Sequence, residues 1–329
     1  MKPFKLLTPE SLTQALAMFW GSEGKAAALG GGTELLNLVR TSLAAPGMVI
    51  DLKKLKRLRG VRSGKSGVSI GATTQLSELS PQCRPLQPFA ALTQAAAAVG
   101  TPQIRNRATL GGNLCQRPRC LYLRSGFDCW KSGGKQCPAR HGETSGLAIL
   151  GTERASCLAV HPSDPAVALS VFDTRVKLVS ASGSRLVPLA QFLAPHESDA
   201  GRDTVLRSDE LITEVRIAFP RPGTRSAFVK VADRAAFSFA LASAAAACVM
   251  DRGTLRHVRL ALGGVAAAPW RARVAEEALE GRKLTPARLE SAARVELAAA
   301  RPFERNSYKV DLAIGALQEA LERAVGGKL

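Results

Sequence analysis

Apolar residues at Leu12, Ala15, Leu16 and Phe19 recur at i, i+3, i+4 and i+7, the spacing of one buried helix face. Thr8-Pro9-Glu10 stands ahead of them as an N-cap, a first-turn proline and an early acid. The pattern then shortens. Ala26 to Leu29 is a brief apolar run that enters Gly30-Gly31-Gly32-Thr33, and Glu34 to Leu38 regains helical character, so the order is strand, glycine loop, helix. Met48 to Leu52 and Val68 to Ile70 read as strands, and the alanine- and leucine-rich stretch Pro88 to Val99 as a helix that stops at Gly100. From Arg117 to Gly146 the periodicity is lost and Gly, Arg, Lys and Cys crowd in. A loop of that length inside a compact domain is uncommon unless something orders it or it serves a function.

Patterning resumes after Asp164 with the apolar run Ala166 to Phe172, then Val176 to Val179 and Leu186-Val187 flank Ser182-Gly183 as a hairpin. Leu211 to Ile217 is a further strand, and Pro220-Arg221-Pro222-Gly223 beyond it is the best linker in the chain. The domain boundary is placed there, giving 1–222 with a cysteine-rich insertion at about 115–157, and 223–329. The second unit offers strands at Ala244 to Met250 and Val258 to Leu262, then helices at Ala272 to Leu279, Pro286 to Ala293 and Asp311 to Val325, the order of a small α+β domain.

Composition narrows the partners. The 329 residues carry a formal net charge of +18, which suits acidic surfaces, polyanions or a negatively charged cofactor. Nucleic acid is disfavoured, because the basic residues are spread along the whole chain and only 5% of residues are aromatic, leaving few stacking platforms. Met1 to Leu7 contains no apolar signal core, and no apolar run approaches the ~18–20 residues of a spanning helix. Neither export on its own nor membrane insertion is expected, and the compartment stays open between cytoplasm and co-export with a partner.

Three elements carry candidate chemistry. Gly30-Gly31-Gly32-Thr33 lacks the Cβ atoms that would keep backbone N–H groups away from a diphosphate, and it opens a helix, where negative charge is favoured. A tight strand-to-helix turn accounts for this loop equally well. It is not the G-x-G-x-x-G fingerprint, since Leu35 stands where the last glycine belongs. Thr109-Leu110-Gly111-Gly112-Asn113 repeats the same devices after Ile104-Arg105-Asn106-Arg107, and His161-Pro162-Ser163-Asp164 places a hydroxyl and a carboxylate at a helix start, where either is also an ordinary cap.

In order and spacing these elements resemble the flavoprotein subunit of the xanthine dehydrogenase and carbon monoxide dehydrogenase family, and the resemblance extends over essentially the full chain. It implies an α+β fold: a two-lobed FAD-binding domain like that of vanillyl-alcohol oxidase, then a small α+β C-terminal domain. It also implies that Leu29, Gly30, Gly31, Gly32, Thr33, Glu34 and Leu35, with Gly111, Gly112 and Asn113, cradle the FAD pyrophosphate, and that Thr109 and Asp164 bind nearby. Leu211 and Ile212 match apolar positions beside the isoalloxazine, and Lys230 is similar to a flavin-proximal lysine. Glu34 departs from the family's usual aspartate, a change tolerated if the backbone makes the contact.

Of seven cysteines, Cys83 and Cys248 lie apart, whereas Cys120, Cys129, Cys137 and Cys157 form C-x8-C-x7-C-x19-C inside the aperiodic region. Four thiolates suffice for a [4Fe–4S] cluster. Structural zinc favours short C-x2-C knuckles, which are absent, and free cysteines on a surface loop are the remaining reading. Arg117, Arg119, Arg124, Lys131, Lys135 and Arg140 are expected to offset the cluster's negative charge. The stretch also resembles the iron–sulfur version of the subunit in bacterial periplasmic aldehyde oxidoreductases, which implies that these four cysteines are the ligands and leaves Cys115 as a bystander or a substitute. His141 and His161 are expected to be loop or capping residues.

The resemblance implies an electron-transfer role within a heterotrimer. Substrate is oxidised at molybdenum on a large partner, and electrons pass through a [2Fe–2S] small subunit to FAD and on to an external acceptor. The competing reading is a zinc-stabilised basic scaffold that binds an acidic partner or nucleic acid without redox chemistry.

Overall fold

The computed structural model describes residues 1–153, 155, 157–194 and 201–327. Strand β1 (Lys5–Leu7), helix α1 (Leu12–Trp20), strand β2 (Ala26–Leu29), helix α2 (Leu35–Arg40) and strand β3 (Met48–Asp51) form the first unit. β3 lies between β1 and β2, all parallel, with Leu6 opposite Val49 and Ala28 opposite Ile50. Helix α1 buries Ala15, Leu16 and Phe19, the face its spacing requires, against Ile50, Leu52, Leu58 and Leu211. It starts later than Thr8 suggests, because Ser11 is the cap, its Oγ accepting from the Gln14 N–H at 3.1 Å.

A five-stranded antiparallel sheet follows, built from β4 (Val61–Ser63), β5 (Gly67–Gly71), β6 (Thr174–Ser180), β7 (Gly183–Pro188) and β8 (Leu211–Ala218) in the order β4-β5-β8-β6-β7. The β6–β7 hairpin turns where the sequence places it, with Ser180 opposite Gly183. Between β5 and β6 the chain runs through α3 (Ala90–Ala97), α4 (Pro102–Arg105), α5 (Leu110–Leu114), α6 (Leu121–Arg124) and α7 (Asp164–Leu169), and α8 (Leu189–Phe192) follows β7. Ile70, Val176, Val215 and Ile217 from the sheet meet Phe89, Leu92, Leu110 and Phe192, all fully buried. Each such side chain contributes roughly 1.5–3 kcal/mol relative to exposure.

The third sheet is antiparallel, β12-β11-β10-β9, from β9 (Thr224–Val231), β10 (Ala242–Asp251), β11 (Thr254–Gly263) and β12 (Trp270–Arg271). It is buried on both faces, which explains the unbroken apolar run of β10. Ala244, Ala246 and Cys248 face α9 (Arg273–Leu279), α10 (Pro286–Leu297) and α11 (Lys309–Val325), whereas Ala245 and Ala247 join the core around α3 and α7. Alanine suits this strand because a helix approaches closely on each side. The architecture is the expected α+β, and among the described residues no helix is long and apolar enough to cross a membrane.

Candidate functional site

The two glycine bends, remote in sequence, lie against each other. A Cβ on Gly31 would stand 1.8 Å from the Arg107 carbonyl oxygen, and one on Gly30 would stand 2.7 Å from Thr109 Oγ1, so a side chain at either position would wedge the bends apart. Gly32 takes a left-handed φ of +80°, and the chain then enters α2. Among the described residues, the N–H groups of Gly30, Gly31, Gly32, Thr33, Glu34 and Leu35 donate to no protein acceptor. Six consecutive amides without protein acceptors at a helix start are donors that an anion could use.

The second bend is different from expectation. Gly111 N–H donates to the Ala72 carbonyl at 2.9 Å, Gly112 N–H to Thr109 Oγ1 at 3.3 Å and Asn113 N–H to the Thr109 carbonyl at 2.8 Å. Thr109 is the cap of α5, and its amides serve the fold. This bend therefore offers surface and rigidity rather than free donors. The two bends border a cleft of about 310 Å³ with Ala26, Ala28 and Gly30 on one wall, Thr109, Gly111, Gly112 and Cys115 on the next, and Leu206, Leu211 and Ile212 on the third. That volume is at the lower end for small-molecule sites. Leu29 is buried behind the first bend.

Asn113, Asp164 and Lys230 do not line this cleft; they form a buried chain behind the second bend. Ser163 Oγ donates to Asn113 Oδ1 at 2.5 Å and caps α7 by accepting from Ala166 N–H at 3.1 Å. Ser163, not Asp164, is thus the cap. Asp164, 5% exposed, accepts from Lys230 Nζ at 2.8 Å, and the same ammonium donates to the Ala98 carbonyl at 3.0 Å. Burial raises the Asp164 carboxyl above its ordinary range, and Lys230 opposes that rise.

Glu34 turns away from the bends. Its carboxylate accepts from Arg124 at 2.7 Å and from the Arg117 backbone N–H at 3.2 Å, and forms an ion pair with Arg119 at 2.6 Å. Asp203 pairs with the Arg117 side chain at 2.9 Å and with Lys131 at 2.5 Å. Arg117, Arg119, Arg124 and Lys131 thus meet two carboxylates from outside the insertion, and Lys131 also lines the cysteine cavity, where its charge favours the Cys157 thiolate. Their partners lie far away in sequence, which no local spacing reveals.

Cys120, at the start of α6, joins Cys129, Cys137 and Cys157 around one small, mainly apolar cavity whose wall includes Tyr122, Leu123, Leu147, Leu158 and one cation, Lys131. All four are free thiols. Burial pushes Cys120 up, and Cys157 up to about 11. Among the described residues no three His, Cys, Asp or Glu side chains are grouped as a single metal ion requires. Cys115 is outside this cage; it lines the cleft, and burial together with Asp203 pushes its thiol to about 12. His141 is exposed at the end of a 3-10 turn, and His161 is buried, with Nδ1 accepting from Ser163 N–H at 3.4 Å. Neither lines the cage.

The far end of the insertion is held by the segment between α10 and α11, which sequence reasoning missed. Arg305 pairs with Glu143 at 3.0 Å, Tyr308 Oη donates to the Ser145 carbonyl at 2.9 Å, and Asn306 Nδ2 donates to the Ala148 carbonyl at 3.3 Å. Lys309, the first residue of α11, donates from Nζ to the carbonyls of Leu147 at 3.1 Å and Gly264 at 2.8 Å.

Comparison with known proteins gives this geometry its context. Residues 2–221 match the family model for the FAD binding domain in molybdopterin dehydrogenase, and residues 227–324 match the CO dehydrogenase flavoprotein C-terminal domain. The chain is 35% identical over 301 residues to the aldehyde oxidoreductase FAD-binding subunit PaoB of Escherichia coli, covering 90% of each. It is 27% identical to the carbon monoxide dehydrogenase medium chain of Hydrogenophaga pseudoflava, over 98% of this chain and 96% of that one. A solved structure of carbon monoxide dehydrogenase from Hydrogenophaga pseudoflava, lacking the Mo-pyranopterin moiety of its cofactor, superposes with a TM-score of 0.75 at 26% identity, covering 99% of both chains. The chain belongs to the FAD-binding medium subunits of the molybdenum hydroxylases, and is an oxidoreductase subunit of the carbon monoxide dehydrogenase and xanthine dehydrogenase type.

Proposed function

We propose that this chain is the FAD- and [4Fe–4S]-containing electron-transfer subunit of a heterotrimeric aldehyde oxidoreductase, taking electrons from a [2Fe–2S] small subunit and ultimately from a molybdenum-bearing large subunit. The observation that carries the flavin reading is the row of amides without protein acceptors from Gly30 to Leu35, which starts at the cleft wall with Gly30. In this reading Leu29 to Leu35 present backbone donors to the diphosphate, and Glu34 contributes its amide while its carboxylate anchors the insertion. Thr109, Gly111 and Gly112 form the rigid opposing wall, Leu211 and Ile212 supply an apolar surface for a ring system, and Asn113, Asp164 and Lys230 fix the polar side of the second bend. Bound FAD would supply one- and two-electron exchange.

The cluster reading rests on four thiols sharing one apolar cavity inside a loop that has no repeating pattern. A cubane cluster takes each cysteine on a different iron, so its ligands need not converge as they do on one zinc ion. The absence of a single-ion grouping among the described residues weakens the zinc scaffold accordingly. The aldehyde assignment is supported by the Escherichia coli relative, which is named for that activity.

Gentle purification followed by absorbance and iron, sulfide and zinc analysis tests both parts. Flavin with roughly four iron and four sulfide per chain is expected. A colourless protein ends the flavin reading, and zinc without sulfide ends the cluster reading. Cys129→Ser should release iron and leave flavin in place.

A further inference from the structure

The fold alone does not account for Lys309. Its side chain is 1% exposed, and it stands at the first position of a helix, where the positive end of the backbone dipole disfavours a cation. Its ammonium carries three protons and meets two carbonyl acceptors, those of Leu147 and Gly264. Among the described residues it has no ion pair, and burial without an opposing charge lowers it to about 8. A neutral donor would serve as a clamp at far lower cost, as Asn306 does on the same Leu147 carbonyl at 3.4 Å.

The neighbouring space that could receive negative charge is the cysteine cage. Leu147, whose carbonyl Lys309 holds, lines that cavity together with Cys120, Cys129, Cys137 and Cys157. Of the insertion's cations, Arg117, Arg119, Arg124 and Lys131 meet only the two carboxylates of Glu34 and Asp203, and Lys131 also lines the cage, so Lys309 adds to positive charge already present on that side.

We propose that Lys309 is a second buried counter-charge, beside Lys131, of an anionic iron–sulfur cluster in the cysteine cage, and that it raises the cluster's reduction potential. The inference rests on the cluster reading given above. Reduction adds one negative charge to a cage whose Leu147 wall this ammonium holds from behind, so the lysine favours the reduced state.

The test is a potentiometric titration of the whole purified complex, followed by electron paramagnetic resonance, in wild type and in Lys309→Gln, Lys309→Met and Lys309→Arg. Gln and Met should move the cluster midpoint to more negative potential, Arg should hold it within error of wild type, and the flavin midpoint should not move in any of them. A Gln variant with iron and sulfide intact and an unmoved midpoint overturns the proposal and leaves Lys309 a clamp. A Gln variant that loses the cluster while keeping flavin also overturns it, by making the lysine an assembly residue. Wild-type protein without iron and sulfide removes the cluster reading itself, and this inference with it.

Discussion

Lys230 on β9 and Asp164 at the start of α7 meet at 2.8 Å, with both side chains nearly excluded from water. The pair ties the C-terminal sheet to the helix behind the second glycine bend. Removing one member strands the other as a buried charge, which costs about 3–5 kcal/mol, whereas removing both is often close to neutral. Lys230→Met should therefore lose stability on that scale in urea denaturation, and Lys230→Met with Asp164→Asn should recover most of it. The deficit of the single variant should shrink in acid. Asp164 has a raised folded pKa, so protonation stabilises the folded state, and its isolated carboxylate does harm only above that pKa. A deficit unchanged between pH 4 and pH 8 would show that the charge pair is not its source.

Gly31→Ala should open the contact between the bends. Its Cβ would fall 1.8 Å from the Arg107 carbonyl, a backbone atom that cannot rotate away. Overpacking of this kind costs about 1–3 kcal/mol, enough to weaken flavin retention roughly tenfold or more. Flavin content after dialysis reads this out. Gly146→Ala, where an added Cβ meets nothing within 4 Å, should retain flavin as wild type does.

Glu34→Ala should release the near end of the insertion. It deprives Arg119 and Arg124, each no more than about a quarter exposed, of their shared carboxylate. Hydrogen exchange across Arg117 to Lys131 should accelerate, while exchange in α10 and α11 stays as in wild type. Uniform acceleration would instead mean that the whole chain had been destabilised.

His161 gives the acid limb of the stability curve. Burial lowers its pKa from 6.5 to about 4, so the folded chain resists a proton that the unfolded chain accepts below pH 6.5. Stability is present in full above about pH 6.5 and falls as pH drops toward 4, by roughly 3 kcal/mol at ~1.4 kcal/mol for each pH unit. His161→Gln should flatten that limb, and an unchanged slope would assign it to the carboxylates.

Gly315→Ala, in the exposed middle of α11 with free space around the added methyl, should stabilise the chain by about 0.5–1 kcal/mol. A rise in the urea midpoint at constant slope is the expected result.

Elements whose pattern is local were legible in the sequence. Leu12, Ala15, Leu16 and Phe19 mark the buried face of α1, and Ser182-Gly183 marks the β6–β7 hairpin. Strands β1 and β4 have three residues each, too few to show a period, and they exist because longer neighbours pair with them. The glycine bends were visible as candidates, but not the division of labour between them. That division is set by Ala72, whose carbonyl consumes the Gly111 amide across the fold. The charge pattern was incomplete for the same reason: that Arg119 and Arg124 share the Glu34 carboxylate shows only once the first bend is brought over.

The contact of Gly31 with the Arg107 carbonyl bears on biogenesis. The first bend is backed by a segment synthesised well after it, so in a nascent chain it stays without its support until the second bend has emerged and docked.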